Sequence, residues 1–190
     1  MRQQHRVGLA LVACVATTML GACGADSKAS GDTDALTPPG TGLKLGETAT
    51  VPLEGQGIAK FTVSSIERAD PADLADVKNA DPEYDPTKHD AYYIRYDVTI
   101  VSEHGDGIQN VDLMSDIGLQ ASEPDYAVEL WNVKTCHIDR GLLESVQPGD
   151  SFSNCLPAYL PKGTPVDGVY FSDPNSDYDQ VGAEPVIWRD

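Results

Sequence analysis

The stretch from Ala91 to Val101 constrains the fold more than any other part of the chain. Tyr92, Ile94, Tyr96, Val98 and Ile100 fall on one side of an extended backbone, and Tyr93, Arg95, Asp97 and Thr99 fall on the other. Side chains alternate across a strand, so this period of two marks a β-strand with one core face and one wetter face. Such a strand needs antiparallel neighbours and a second layer against its apolar side. The sequence supplies them. Leu43 and Leu45 precede Gly46, and Ala49, Val51 and Leu53 follow it. Ala59, Phe61 and Val63 alternate with polar residues up to Ile66. Further runs are expected at 117–120, 126–131, 151–159, 166–172 and 186–188, separated by Gly105-Asp106-Gly107, Pro124-Asp125, Pro148-Gly149-Asp150 and Pro161-Lys162-Gly163. Many short strands with regular turn signals predict an all-β sandwich or barrel. The one helical candidate is Asp70 to Asn79, with Pro71 at its first position. Asp81 to Asp90 reads as an irregular loop.

The first 22 residues have a different character. Arg2 and Arg6 precede an uncharged run from Val7 to Leu20, which ends in Leu20-Gly21-Ala22-Cys23. A basic start, a short apolar stretch and a small-residue exit describe a secretory signal. The apolar run falls short of the ~20 residues that span a bilayer. No adjacent Arg pair is present, so the general secretion route is expected rather than the twin-Arg route. The four exit residues resemble the lipobox of bacterial lipoproteins, which implies cleavage between Ala22 and Cys23 and acylation of the Cys23 thiol. Two acyl chains on one residue suffice for stable anchoring. The expected address is the extracytoplasmic face of a cell membrane, with acylated Cys23 in the lipid bilayer.

Three segments follow from this reading: a signal peptide over 1–22, a lipidated and disordered tether over 23–42, and the β-domain over 43–190. Gly24 to Gly42 is rich in Gly, Ala, Ser, Asp, Thr and Pro, and cannot offset its ordering entropy by burial. Its reach as a random coil is roughly 25 Å. Removing the signal takes away two positive charges and turns the formal net charge from −17 to −19. That charge and the lack of any Lys/Arg cluster exclude nucleic acid as a partner. Of the four cysteines, Cys14 leaves with the signal and Cys23 goes to lipid. Cys136 and Cys155 remain as an even pair in an oxidising compartment, and a disulfide is the natural reading. Two free thiols or a metal pair is the alternative, although no second Cys/His pair at ligand spacing accompanies them.

The order of these motifs resembles a known family. A Leu-x-Leu-Gly start at 43–46 precedes the long strand Tyr92-Tyr93-Ile94-Arg95-Tyr96-Asp97-Val98. Val146-Gln147-Pro148-Gly149, a Cys-bearing strand and Val169-Tyr170-Phe171 come later. The pattern is similar to the telokin-like, immunoglobulin-like domain of actinobacterial secreted antigens and lipoproteins. The resemblance implies an immunoglobulin-like antiparallel β-sandwich over roughly 43–188 and carries little biochemistry with it. The chain departs from a compact domain of this type at Asp70 to Asp90 and in the acidic stretch after Phe171.

Candidate chemistry is sparse. Asp173, Asn175, Asp177 and Glu184 have the oxygen spacing of a calcium loop, but Tyr178 stands where the sharp turn needs Gly. A solvated acidic loop is the plainer reading, and no metal or cofactor is assigned. There is no Gly-x-Ser-x-Gly and no phosphate loop. His89 and His104 are placed in loops and His137 beside the disulfide, so no catalytic residue is named. Tyr92, Tyr96, Phe61, Phe152, Tyr170 and Trp188 are expected in the core. Tyr84, Tyr93, Tyr126 and Tyr178 are expected at the surface, where Tyr suits binding. The leading expectation is a non-enzymatic, membrane-anchored binding module. Its partner is a basic protein or an envelope component that meets Asp70 to Asp90 and Asp173 to Glu184. The rival is an envelope hydrolase or metal-dependent enzyme with a loop-assembled site. Replacing Cys23 with Ala removes the lipidation nucleophile. The variant is expected to leave the membrane fraction or to accumulate as precursor, and a processed variant that stays membrane-bound would refute the anchor.

Overall fold

The longest strand of the computed structural model is the one the alternation marks. β4 runs over His89–Glu103 between β3 (Gly57–Arg68) and β7 (Ser151–Pro161). The structure describes residues 35–53, 56–75, 77, 81–103, 116–121, 127–131, 133–136, 146–174 and 176–190. Both neighbours of β4 are antiparallel: Phe61 lies opposite Val98, and Val98 opposite Phe152. β2 (Thr48–Leu53) and the two-residue β6 (Val128–Glu129) complete a five-stranded sheet in the order β2-β3-β4-β7-β6. A second sheet has the order β1-β9-β8-β5, from Gly42–Lys44, Val186–Arg189, Val166–Phe171 and Ile117–Ala121. Among the described strands every pairing is antiparallel except β1 with β9, which is parallel. This is an immunoglobulin-like sandwich with one parallel edge.

The inward faces of the two sheets meet in one core. Phe61 packs on Tyr96 and Phe171, with ring centroids 6.3 and 5.4 Å away. Trp188 is fully buried and donates its Nε1–H to the Glu47 carbonyl at 2.9 Å. Every alternate residue of β4 from Tyr92 to Ile100 belongs to this core or packs against it. Tyr170 does not join it, contrary to the expectation for β8. Val169 and Phe171 take the inward positions, and Tyr170 lies outward across Gly118, where any side chain on β5 would collide with its ring.

The acidic stretch after Phe171 is held against the fold. Tyr178 is 5 % exposed, sits edge-on to Phe171, and donates its hydroxyl to the Thr37 carbonyl at 2.8 Å. It is a core residue, not the surface tyrosine the acidic surroundings suggested. Thr37 in turn exchanges hydrogen bonds with Thr50, through its own N–H to the Thr50 carbonyl and through its Oγ1 from the Thr50 N–H. Gly40 N–H reaches the Glu184 carbonyl and Ile187 N–H reaches the Thr41 carbonyl. Residues 37–41, assigned by composition to the tether, are therefore bonded into the domain.

Tyr178→Phe is expected to cost about 1 kcal/mol, one net hydrogen bond, and Tyr178→Ala about 3–5 kcal/mol, as for large aromatic core truncations. Urea denaturation checks both, and two unchanged midpoints would show that Tyr178 is not a core residue.

Candidate functional site

The outward face of the five-stranded sheet is divided into two halves. Near its Arg68–Tyr92 end, Ala91 and Tyr93 of β4 and Cys155 and Tyr159 of β7 point away from the core yet are each at most 7 % exposed. They form a second apolar cluster with Ala69, Leu74, Val77 and Tyr84 from the segment between β3 and β4, and with Leu130, Val133 and Cys136 from the segment after β6. Tyr84 and Tyr93 were expected at the surface and are buried here instead. The apolar residues scattered through the acidic segment form the underside of a cover.

The cover is tied down by bonds of several kinds. Cys136 and Cys155 form a disulfide with a Cα–Cα distance of 5.1 Å. The Tyr93 hydroxyl donates to Asp73 Oδ2 at 3.3 Å and so accepts from the Thr135 hydroxyl at 3.4 Å, which joins the two covering segments. The Tyr159 ring lies 5.5 Å from Tyr84 and 4.7 Å from His89. Burial, then the carboxylates of Asp90 and Asp85, push the Tyr84 hydroxyl above its ordinary pKa. Burial, then Asp81 and Glu83, do the same to Tyr159. Both phenols stay neutral at physiological pH, so neither serves as a base.

Where described, the expected helix over 70–79 is turns over 71–75 and a 3₁₀ residue at Val77, not an α-helix; residues 76, 78 and 79 lie outside the described residues. Asp73 N–H bonds the Asp70 carbonyl, Leu74 that of Pro71, and Val77 that of Leu74, all three residues apart. The acids of this segment fold it. Asp70 Oδ1 accepts from Ala72 N–H, Asp81 Oδ1 from Glu83 N–H, and Asp85 Oδ1 from Thr87 N–H and its hydroxyl. These are local Asx-type turns. Asp90, buried at 8 %, holds the Arg68 guanidinium with one oxygen and the Gly163 N–H with the other. Between the cover and the sheet end lies a cleft of about 350 Å³.

The other half of the face is wet. Thr48, Thr62, Asp97 and Ser153 form one row across four strands, with a 2.7 Å contact between the Thr48 and Thr62 hydroxyls and a hydrogen bond from Ser153 to Asp97. The Thr99 and Ser151 hydroxyls meet at 2.8 Å in the next row. Arg95 Nε lies 3.5 Å from Glu67.

The structure brings Cys136 and Cys155 together and leaves the calcium-loop residues apart in role. Asp173 is buried, whereas Asp177 and Glu184 are exposed, and the Asp177 carbonyl accepts the Glu184 N–H at 3.3 Å. Asn175 lies outside the described residues, as do Ala22, Cys23, His104, Tyr126 and His137. Among the described residues, no three His, Cys, Asp or Glu side chains gather as a metal site. His89 is the first residue of β4 rather than a loop residue, and its Nδ1 accepts the Asp85 N–H at 3.0 Å.

No protein-family model matches the sequence, and no curated protein matches it. The fold is similar to the crystal structure of a secreted protein from Mycobacterium tuberculosis, MPT63. The match has a TM-score of 0.50 and 17% identity, and covers 81% of this chain and all of that one. At that identity the likeness concerns the fold.

Proposed function

We propose that the chain is a lipid-anchored, non-enzymatic binding module on the extracytoplasmic face of the cell membrane, and that its covered sheet face meets the partner. The observation that carries this reading is the placement of the cover relative to the point where the chain enters the domain. Thr37 lies level with Thr50, whose partner across the sheet is Lys60. The cover leaves β3 at Arg68, eight residues further along, which is roughly 25 Å at ~3.3 Å per residue. A tether from acylated Cys23 to Thr37 reaches roughly 20 Å. The entry of the chain and the acidic 173–184 segment thus share one end of the sandwich, and the cover occupies the other.

That arrangement narrows the surfaces suggested by sequence. The 173–184 segment bonds Thr37 and Gly40, where the chain enters the domain, and in this reading faces the bilayer, so it is not part of the contact surface. The cover faces outward. Trp131 follows the buried Leu130 and is 47 % exposed, one of three large exposed apolar side chains among the described residues. Exposed Trp is the residue type most enriched at binding hot spots. The strongly acidic surface favours a protein or envelope component with basic groups, and such binding weakens as salt rises. The extracytoplasmic address rests on the signal and lipobox pattern, on the disulfide, and on the fold shared with a secreted protein.

A photo-crosslinking residue placed at Glu83, on the cover, is expected to trap a partner in intact cells. The same residue at Val181, in the tether-side segment, is expected to trap lipid or nothing. Equal or greater protein crosslinking from Val181 would overturn the assignment of faces.

A further inference from the structure

The cleft under the cover has a chemistry unlike the rest of this acidic chain. Pro71, Leu74, Ala75, Tyr84 and Pro86 supply an apolar lining, while Arg68, Lys162 and His89 supply donors. Asp90 is the single carboxylate among the described lining residues, and both its oxygens are occupied, by Arg68 and by the Gly163 N–H. The described lining residues therefore carry two cations against one anion in a chain whose formal charge is −17. Lys162 makes no ion pair among the described residues. Its backbone N–H is held by the Lys88 carbonyl at 2.7 Å, which fixes the residue at the end of the cleft.

His89 adds a directed donor. Its Nδ1 accepts the Asp85 N–H at 3.0 Å, so the ring proton of the neutral imidazole resides on Nε2. No acceptor for that Nε2–H occurs among the described residues. Turning the ring over would put a carbon in place of Nδ1 and lose the Asp85 bond.

From this combination we infer that the cleft is a binding site for a small carboxylic acid with an apolar body. The ligand's hydrocarbon lies on Leu74, Pro71 and Tyr84, and its carboxylate faces Lys162 and the His89 Nε2–H. About 350 Å³ is at the lower end of small-molecule site sizes, which selects a single short chain or one ring. A neutral ligand of the same shape leaves the Lys162 charge without a counter-charge, and a cationic one is repelled. The inference does not depend on which macromolecule meets the outer face, because the cleft lies beneath the cover.

Decanoate is a suitable probe, used below the concentration at which it forms micelles. Titration into the full-length protein, followed by NMR of aromatic and His signals, is expected to show saturable binding with shifts confined to Tyr84, His89 and their neighbours. Decanol and decyltrimethylammonium are expected to bind more weakly. Lys162→Glu is expected to weaken decanoate about tenfold or more, the size of one lost hydrogen bond to a charged group. Ala75→Phe fills the cleft and should abolish binding, and both variants should melt like wild type without ligand. The proposal is overturned if decanoate does not saturate, if the neutral or cationic probe binds as well, or if Lys162→Glu binds decanoate unchanged.

Discussion

The structure depends on β4 and β7 being apolar on both faces near one end. Tyr92, Ile94, Leu156 and Leu160 face the space between the sheets, and Ala91, Tyr93, Cys155 and Tyr159 face the opposite way. A sandwich buries only one face of each sheet, so the second set exposes two tyrosines and the disulfide sulfurs unless something covers them. The segment between β3 and β4 and the segment after β6 do this. Leu74, Val77 and Tyr84 come from the first, and Leu130, Val133 and Cys136 from the second. The disulfide joins the cover to the sheet it covers, and in the chain-entropy model a loop of this length contributes about 3 kcal/mol by restricting the unfolded chain.

This need for a cover also explains the acidic composition of the segment between β3 and β4. A segment with few apolar residues that must turn repeatedly requires side chains that satisfy its own backbone donors. Asp70, Asp81 and Asp85 do so, and Asp90 anchors the end through Arg68 and Gly163. Their charge is largely the by-product of folding the cover. The polar ladder of Thr48, Thr62, Asp97 and Ser153 marks where the cover stops and the sheet is again in contact with water.

Much of the sandwich was legible in the sequence because period two survives wherever one face is wet. β2, β3 and the Tyr92 to Ile100 face of β4 were readable for that reason, and the cysteine pair was readable from arithmetic and compartment. What was not legible follows from the same physics. Tyr93 alternates with core residues, so the pattern placed it outside, and nothing local reveals that another segment covers it. Leu74 and Val77 lie three residues apart among acids, a weak trace of a buried underside that the charge obscured. Tyr178 sits among aspartates and yet fills the core, because Thr37, far away in sequence, accepts its hydroxyl. Asp70 does bond the Ala72 N–H as a helix N-cap would, but the described backbone bonds that follow close three residues apart, at Asp73, Leu74 and Val77, and give turns and a 3₁₀ residue instead of an α-helix.

Amide hydrogen exchange of the oxidised protein tests the central claim most directly, since a folded cover protects its backbone and a solvated acidic loop does not. The N–H groups of Asp81, Tyr84 and His89 each bond a carbonyl within the cover. The account predicts that these amides exchange slowly, within the range of the sheet, and that protection falls at these positions when Cys155→Ser releases Cys136. Exchange at the rate of unstructured peptide, with β4 still protected, would contradict it.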